Sequence, residues 1–362
     1  YEKIREDRIW NGEKWYDFKN FWRKNTLAEV SLQIRKTENF LEIYEKLTQQ
    51  GVNALVVKGI VCRSMYPHSE FRISGDEDIY IKAEEFGICD KVLRENEFWR
   101  EEINVDKLPR EVTYIKSGLR IEVHTALFDT NNRAYNYLNK EFVDAFLNPV
   151  VKKYLEREIW TLNPTLHLLY LICHSYKHFL FCGFGIRQIC DIIMMAENDG
   201  QFIDWIYIDR RLKALRMREF WSGIVRIGKE HLGFNEEKAN YVFNATDKSI
   251  DYIPLLLDIF DSGIYGTSTI ERKHSSSVTL AFKENIEKPN RLTIIKKIFP
   301  SYEFMKKSVP GLKEHPWMLL WAYIVRMVRF AKTTFPGNDR KRTSVQIAKE
   351  RVELMKKYNI VD

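Results

Sequence analysis

The chain has 362 residues, of which 45% are hydrophobic and 30% charged, enough apolar material for two or three globular domains with a sizeable core. Its 57 basic and 50 acidic residues leave a net charge of +7, an excess that suits a phosphate-bearing substrate without requiring a polynucleotide. Five cysteines without framework spacing, no signal peptide and no run of about 20 apolar residues predict a reduced, cytoplasmic protein without a membrane-spanning helix.

The N-terminal 51 residues are predicted to form a helical arm. The first 24 are charged and rich in tryptophan, and we expect them to form a helix that packs on the body of the protein. Asn25 and Thr26 are candidate caps for a helix. The apolar residues that follow recur at spacings of three, four and seven, and Gly51 ends the pattern. The segment is therefore expected to pack ahead of a sheet.

Residues 53–81 begin with a strand pattern, a turn and a short helix. The apolar, β-branched run Ala54–Val57 predicts a buried strand. Lys58 and Gly59 break that pattern, and a short helical segment covers Ile60–Tyr66. A proline follows it and is expected to end the helix.

An acidic strand completes the same stretch. Gly75 precedes Asp76, Glu77 and Asp78, which lead into the apolar run Ile79–Ile81. Alternate residues of a strand share a face, so Asp76 and Asp78 are expected to point the same way. Two carboxylates held side by side repel each other, and a hard divalent cation such as Mg²⁺ offsets that cost.

A third carboxylate follows on a predicted hairpin. Residues 111–124 form two strand patterns around a Ser-Gly turn. In the second strand, Glu122 and His124 share the face opposite to the apolar residues. If this strand lies beside the acidic strand, Glu122 joins the two aspartates. Three carboxylates on adjacent strands could hold two Mg²⁺ ions for phosphoryl or nucleotidyl transfer.

A histidine stripe marks the helical second half of the chain. His167, His174 and His178 are spaced seven and four apart, so they share one face of a helix. We expect His174 and His178 to line the wall of the cleft opposite the aspartates, and His167 to be structural. Asp191 on the next helix would orient one histidine, and Arg187 would reach toward substrate. The His-x-x-x-His spacing also fits a zinc pair, and a structural network between the two helices is a further alternative.

Three further expectations concern the connections in this half. Residues 155–162 are predicted to form a short connecting strand. Residues 266–290, rich in glycine and serine, are expected to form a lid. One helix is expected to present a solvated basic face made by Arg210, Arg211, Arg216 and Arg218.

Taken in order, these pieces resemble a known family. Strand, Lys-Gly, helix, Tyr-Pro, Arg, Gly-Asp-x-Asp and a later acid-x-His on a strand are similar to the nucleotidyltransferase-like family of the polymerase-β superfamily. Residues 171–191, with His-x-x-x-His, then Arg, then Asp, extend the likeness. So do residues 299–301 and 310–329. The resemblance covers roughly residues 53–335.

The resemblance implies an α+β fold with a polymerase-β-type core, a small mixed sheet with flanking helices, over residues 52–130. A large helical C-terminal domain would follow over 131–362. Asp76, Asp78 and Glu122 would be the catalytic residues and the ligands of two Mg²⁺ ions, with a nucleoside triphosphate as substrate. The residues that would position its phosphates are Lys58, Gly59, Arg72 and Gly75.

The expected activity is transfer of a nucleoside monophosphate to a hydroxyl of an acceptor, with release of pyrophosphate. A small-molecule acceptor is favoured over nucleic acid, and His124 would orient Glu122 or relay a proton.

Two departures from the superfamily favour an alternative. Ile60 stands where a serine is usual, and the third acid is Glu122 where aspartate is common. A catalytically weak nucleotide-binding or regulatory protein on the same fold therefore stays open. The positive charge and the arginine-rich segment favour a third reading, a nucleic-acid-binding module.

Overall fold

The computed structural model describes five continuous stretches and several isolated residues between them. The stretches are 13–101, 110–181, 183–263, 315–325 and 344–361. The chain divides into two compact units, of which the first comprises residues 1–130 and 138–167 and the second comprises 131–137 and 168–362. The division into domains 1–51, 52–130 and 131–362 stays a prediction.

The first unit opens with one long helix. Helix α1 spans Glu13–Gln49, about 55 Å at 1.5 Å per residue. The expected helix start at Asn25 and Thr26 is wrong. No glycine or proline interrupts this stretch. Asparagine and threonine each cost under about 0.7 kcal/mol inside a helix, so the hydrogen-bonded helix continues through Asn25 and Thr26. Near its C-terminal end Phe40 is fully buried, whereas Phe21 is 63% exposed.

Five short strands form a mixed sheet in the first unit. They are β1 (Leu55–Val56), β2 (Glu77–Tyr80), β3 (Trp99–Arg100), β4 (Glu111–Lys116) and β5 (Leu119–His124). The order is β1-β2-β5-β4-β3, with β2 and β5 parallel and the other neighbours antiparallel. The predicted small mixed sheet is confirmed. The predicted hairpin is also confirmed, and its turn residues Ser117 and Gly118 both have positive φ.

Two helices flank this sheet. Helix α2 (Ile60–Ser64) follows β1, and helix α3 (Phe86–Glu95) follows β2. Helix α3 buries Phe86 and Leu93 and leaves its charged side outside, as its apolar spacing predicts. Helix α2 is the short helix predicted between the first strand and the acidic strand, and it is confirmed.

A second hairpin belongs to the first unit. Strands β6 (Val150–Tyr154) and β7 (Arg157–Thr161) pair antiparallel around Leu155 and Glu156. The expected connecting strand over 155–162 is therefore half of a hairpin. Strand β6 contains two adjacent lysines, which interrupt the apolar pattern that would predict a strand. The turn residues Leu155 and Glu156 have positive φ, but neither is the glycine or asparagine that usually indicates such a turn in a sequence.

The β6–β7 hairpin is tied to the start of the sheet through side chains. The Tyr44 hydroxyl donates to the carbonyl of Ala54 at 2.8 Å and accepts from the Trp160 amide at 2.9 Å. The Thr161 hydroxyl donates to the carbonyl of Val56 at 2.6 Å. Helix α1, strand β1 and strand β7 are therefore held together just before the Lys-Gly turn.

The second unit is helical, as predicted. Helix α4 (Pro164–Phe181) leads into it. Its helices then include α5 (Ile186–Asp199), α6 (Trp205–Ala214), α7 (Arg218–His231), α8 (Ala245–Ser249), α9 (Ile253–Ser262) and α10 (Ser344–Lys357). Within the described ranges, no helix has the length and apolar character needed to cross a membrane. The predicted lid over 266–290 lies outside the continuously described residues.

The expected single basic helix is wrong. Arg210 and Arg211 lie on α6, Arg216 lies in the connection with φ of 54°, and Arg218 begins α7. Arg218 is only 6% exposed, because its guanidinium pairs with the buried carboxylate of Asp247 at 2.8 Å. One of the four arginines is therefore an internal structural charge.

Asp247 is the centre of a buried polar network. Its side chain is fully buried. Burial raises its pKa, but hydrogen bonds from Arg218, Tyr241 and Ser222 outweigh burial, and the net pKa is lowered. Its carboxylate accepts hydrogen bonds from Arg218 Nη1 at 2.8 Å, Ser222 Oγ at 2.7 Å, Tyr241 Oη at 2.6 Å and the Asn244 amide at 3.1 Å.

We expect Asp247→Asn to lower the free energy of unfolding by about 1.5–3 kcal/mol, because the buried Arg218 loses its buried carboxylate partner and keeps the partly exposed Asp209 at 2.7 Å. Urea unfolding followed by circular dichroism measures this. Glu353→Gln is the control, because Glu353 is exposed and pairs weakly with Lys356 at 3.5 Å, so its loss should stay below about 1 kcal/mol.

The wild-type contribution of Asp247 should also depend on pH. Because its pKa is lowered on folding, the contribution is present above the unfolded value of about 3.9 and is lost as the pH falls through the lower folded value. Equal losses in Asp247→Asn and Glu353→Gln would contradict this role.

Candidate active site

The parallel pairing of β2 and β5 brings the acid-bearing faces of two distant segments together. Asp78 lies opposite Glu122 in the register, and Tyr80 lies opposite His124. His124 Nε2 is 3.2 Å from Asp78 Oδ1 and 4.0 Å from Glu122 Oε2. One ligand atom from each of Asp78, Glu122 and His124 lies within 4.8 Å of the others, a spacing that could hold a metal ion.

The opposite face of the same strands is lined by apolar residues, with Glu77 as an exception. Ile79, Ile121 and Val123 have no exposed surface. The predicted alternation of faces is therefore confirmed, and it fixes which carboxylates can meet. A strand that slipped by one residue would turn the whole set to the other face.

Lys58 is the cation of this cluster. Its ammonium lies 3.2 Å from Asp78 Oδ2. Burial alone would lower the pKa of Lys58, but the charges of the nearby carboxylates, led by Asp78, outweigh burial, and the pKa is raised. Lys58 is therefore protonated at any physiological pH, and it holds a positive charge beside the acids.

The two paired acids differ in ionisation. Burial disfavours ionised Asp78, but the charge of Lys58 and the hydrogen bond from His124 hold its pKa well below the usual range. Burial, together with the negative charges of Asp78 and Asp76, raises the pKa of Glu122 to about 7. Lys58 neutralises Asp78, and the remaining repulsion between the acids is relieved because Glu122 is partly protonated near neutral pH.

Asp76 stands just before β2 and is half-buried. It is not one of the three residues whose ligand atoms lie within 4.8 Å. Its charge nevertheless acts on both Lys58 and Glu122, which sets it near the cluster. The roles of Asp76, Asp78 and Glu122 as catalytic metal ligands stay a prediction.

Glu77 plays a part that sequence reasoning missed. It is buried on the face opposite Asp78, and Arg63 Nη2 lies 2.6 Å from its Oε1. Its Oε2 accepts a hydrogen bond of 2.7 Å from the amide of Ile60. A Cβ atom at Gly59, where φ is 60°, would lie 2.0 Å from the same Oε2. The carboxylate therefore holds the Lys-Gly turn and requires a glycine there.

The Arg63 guanidinium is fully enclosed, and further polar partners surround it. It donates to Ser74 Oγ and to Thr37 Oγ1, the latter at 3.2 Å. The Ser74 amide donates to Gln33 Oε1 at 2.8 Å. One signal in the sequence pointed here: an arginine inside an apolar helix and a glutamate on the apolar face of a strand both need a buried partner.

The predicted phosphate-binding residues have different surroundings. Lys58 lies in the cluster, whereas the amide that follows Gly59 is already taken by Glu77. Arg72 is 7% exposed, and Gly75 has open space where a Cβ would lie. Their contact with phosphate stays a prediction.

The histidine stripe is divided by the structure. His167 is fully buried, and its Nε2 lies 2.9 Å from the carbonyl of Val57, so its structural role is confirmed. His174 and His178 lie in the second unit with ring centroids 4.5 Å apart. Asp191, on α5 with Arg187, is 5% exposed. The expected position of this group opposite the aspartates stays a prediction.

Comparison with known proteins assigns the chain to a family. The sequence pattern of a family described as uncharacterised nucleotidyltransferase matches residues 14–233, more than half of the chain, and the chain therefore belongs to that family. The match begins and ends earlier than the predicted 53–335. No curated protein and no solved structure matches the chain. Membership supports nucleotidyl transfer in general, with a nucleoside triphosphate as substrate.

The donor set fits the divalent metal that such enzymes typically use. Two carboxylates and an imidazole are ordinary ligands of divalent ions. Asp78 Oδ2 is buried without a hydrogen bond of good geometry, although the Lys58 ammonium lies 3.2 Å away. Asp78 Oδ2 therefore already lies against one positive charge, and the position is suited to an oxygen that binds a metal ion.

We expect Glu77→Gln to destabilise the protein by about 3–5 kcal/mol, because the amide keeps the size of the side chain but leaves Arg63 as an unpaired buried charge. Denaturant unfolding monitored by tryptophan fluorescence is the measurement. Glu95→Gln is the matched control, because Glu95 is 63% exposed and its ion pair with Lys91 is long, at 3.8 Å, and therefore weak. A loss in Glu77→Gln no greater than in this control would show that the pair is dispensable.

We expect Mn²⁺ or Mg²⁺ to raise the melting temperature more at pH 8 than at pH 6. The folded pKa of Glu122, about 7, is above the unfolded value of about 4.3, so its ionisation costs stability as the pH rises through this window. A cation that binds the ionised carboxylate reverses that cost. Thermal melts at several pH values test this, and Glu122→Gln should flatten the dependence. A pH-independent cation effect in the wild type would contradict it.

Proposed function

We propose that this protein transfers a nucleoside monophosphate from a nucleoside triphosphate to a hydroxyl group of an acceptor and releases pyrophosphate. The acceptor is proposed to be a small molecule, because the net charge of +7 is mild for a polynucleotide-binding protein. The cofactor is proposed to be Mg²⁺, bound as two ions at Asp76, Asp78 and Glu122.

One observation carries this proposal. Parallel pairing of β2 with β5 sets Asp78 beside Glu122, with Lys58 against the same cluster. Carboxylates on adjacent strands, with a lysine from the turn after β1 beside them, suit the transfer of a phosphoryl or nucleotidyl group, because such reactions depend on positioning and on neutralising charge.

Each residue has a proposed task. The carboxylates would bind the cation, which when bound neutralises the triphosphate and makes the acceptor hydroxyl a better nucleophile. Lys58 carries a permanent positive charge and would contact a phosphate oxygen once Asp78 is engaged elsewhere. The enclosed Arg63–Glu77 pair would keep the turn that carries Lys58 in place.

A second candidate function is favoured by a specific observation. The amide of Ile60 donates to Glu77, so that donor is not available to a phosphate, and Ile60 brings no hydroxyl of its own. A protein that binds nucleotide and metal without turnover would fit this arrangement. Calorimetric binding of a non-hydrolysable triphosphate without pyrophosphate release under any condition would favour it.

We expect Asp76→Asn and Asp78→Asn each to abolish Mg²⁺-dependent pyrophosphate release, because an amide is a poor ligand for a hard cation. The assay uses the full chain, each of the four nucleoside triphosphates, and a small-metabolite extract as the source of acceptors. Asp129→Asn is the control, because Asp129 is 53% exposed and pairs with Arg110 at 3.3 Å on the surface.

The melting temperature separates the two variants. Asp76→Asn should keep the wild-type melting temperature, since the Asp76 carboxylate is only half-buried. Asp78→Asn should lower it, because that variant also loses a buried ion pair with Lys58. Retained turnover in either variant would reject the proposed mechanism. Pyrophosphate release by the wild type that does not require a divalent cation would reject it as well.

A further inference from the structure

The geometry points to His124 as a direct metal ligand. We propose that its Nε2, with Asp78 and Glu122, binds a divalent transition-metal ion such as Mn²⁺ in preference to Mg²⁺. This rests on the proposed function for the role of the metal in the reaction, and it replaces Mg²⁺ with a transition-metal ion at the position between Asp78, Glu122 and His124. The three-carboxylate set of the superfamily would leave the imidazole outside the metal's coordination sphere.

The position of the imidazole supports this assignment. His124 is 4% exposed, and its Nε2 faces both acids, 3.2 Å from Asp78 Oδ1 and 4.0 Å from Glu122 Oε2. Ligands of one ion at about 2.1 Å lie roughly 3–4 Å apart, so these separations need little adjustment. Asp76, in contrast, is not part of this closely spaced group.

A second contact lies on the other side of the ring. Glu111 is the register partner of His124 across β4 and β5, and its Oε2 lies 3.7 Å from His124 Nδ1. That nitrogen is buried without a hydrogen bond. Histidines that bind metals usually donate their other N–H to a carboxylate, which fixes the ring and its tautomer. Glu111 is half-exposed and can move the short distance required.

The proton balance of binding is simple. Without metal, Nε2–H donates to Asp78 Oδ1, because a carboxylate only accepts. When Nε2 binds the ion, the neutral ring carries its one proton on Nδ1, where Glu111 accepts it. Binding therefore exchanges the hydrogen bond at Nε2 for one at Nδ1.

The choice of metal follows from the ligand type. Mg²⁺ strongly prefers oxygen ligands, whereas imidazole nitrogen suits transition-metal ions. Mn²⁺ accepts carboxylates as Mg²⁺ does, and as a transition-metal ion it also accepts an imidazole nitrogen, so this site should bind Mn²⁺ more tightly than Mg²⁺. An all-carboxylate site would show a smaller difference.

The test is pulsed electron paramagnetic resonance of Mn²⁺ added to the metal-stripped full chain. Electron spin-echo modulation detects a nitrogen bonded to the ion, and we expect this signal in the wild type. It should vanish in His124→Ala and in His124→Gln, the second of which keeps a polar side chain in case the first does not fold. His68→Ala is the matched control, since His68 is 70% exposed, and it should keep the signal.

Calorimetry with the same variants gives an independent reading. His124→Gln should lose about tenfold in Mn²⁺ affinity and change little in Mg²⁺ affinity. Glu111→Ala should weaken Mn²⁺ binding while the nitrogen signal persists. Equal losses for both ions, or no nitrogen signal in the wild type, would overturn the inference and leave His124 with the predicted role of orienting Glu122 or relaying a proton.

The two proposals fail separately. A nitrogen signal without pyrophosphate release would leave the metal ligand standing and reject the enzyme. Mg²⁺-dependent pyrophosphate release without a nitrogen signal would do the reverse.

Discussion

Two consecutive carboxylates of β2 face opposite sides of the sheet, and each is neutralised by a different cation. Glu77 points inward and pairs with enclosed Arg63, while Asp78 points to the other face and pairs with Lys58. Both cations come from the turn and helix that follow β1. A slip of one residue would place each acid against the wrong surroundings and strand a charge in the core. The position of β2, and with it the register against β5, is therefore tied to electrostatics as well as to apolar packing.

The glycine of the turn and the inward acid depend on each other. Gly59 has a positive φ, and any side chain there would overlap the carboxylate that receives the Ile60 amide. Ile60 brings no hydroxyl to the turn, and its amide is committed to Glu77. The Glu77 carboxylate thus supports the turn from the far side of the sheet. In the proposed function, the contact of this turn with a phosphate rests on Lys58.

Charge is distributed unevenly over the outward-facing cluster. Asp78 keeps its charge because Lys58 and His124 stabilise it, whereas Glu122, crowded by the same aspartate, has its pKa raised to about 7. His124 stands between the two acids, with a third carboxylate behind it. Acids with such different pKa values on neighbouring strands are typical of sites that bind cations or move protons. The region matched by the family, residues 14–233, includes this cluster.

The sequence by itself determined what depends on neighbours along the chain. The alternation of acid and apolar residues in β2, the hairpin that carries Glu122, and the helical second half follow from periods of two and 3.6 residues. Only the tertiary structure decided which distant groups meet: β2 beside β5, Arg63 against Glu77, and Arg218 against Asp247. A local pattern shows that a charge is buried, but the partner that neutralises it is brought close by folding, and its position along the chain carries no periodic signal.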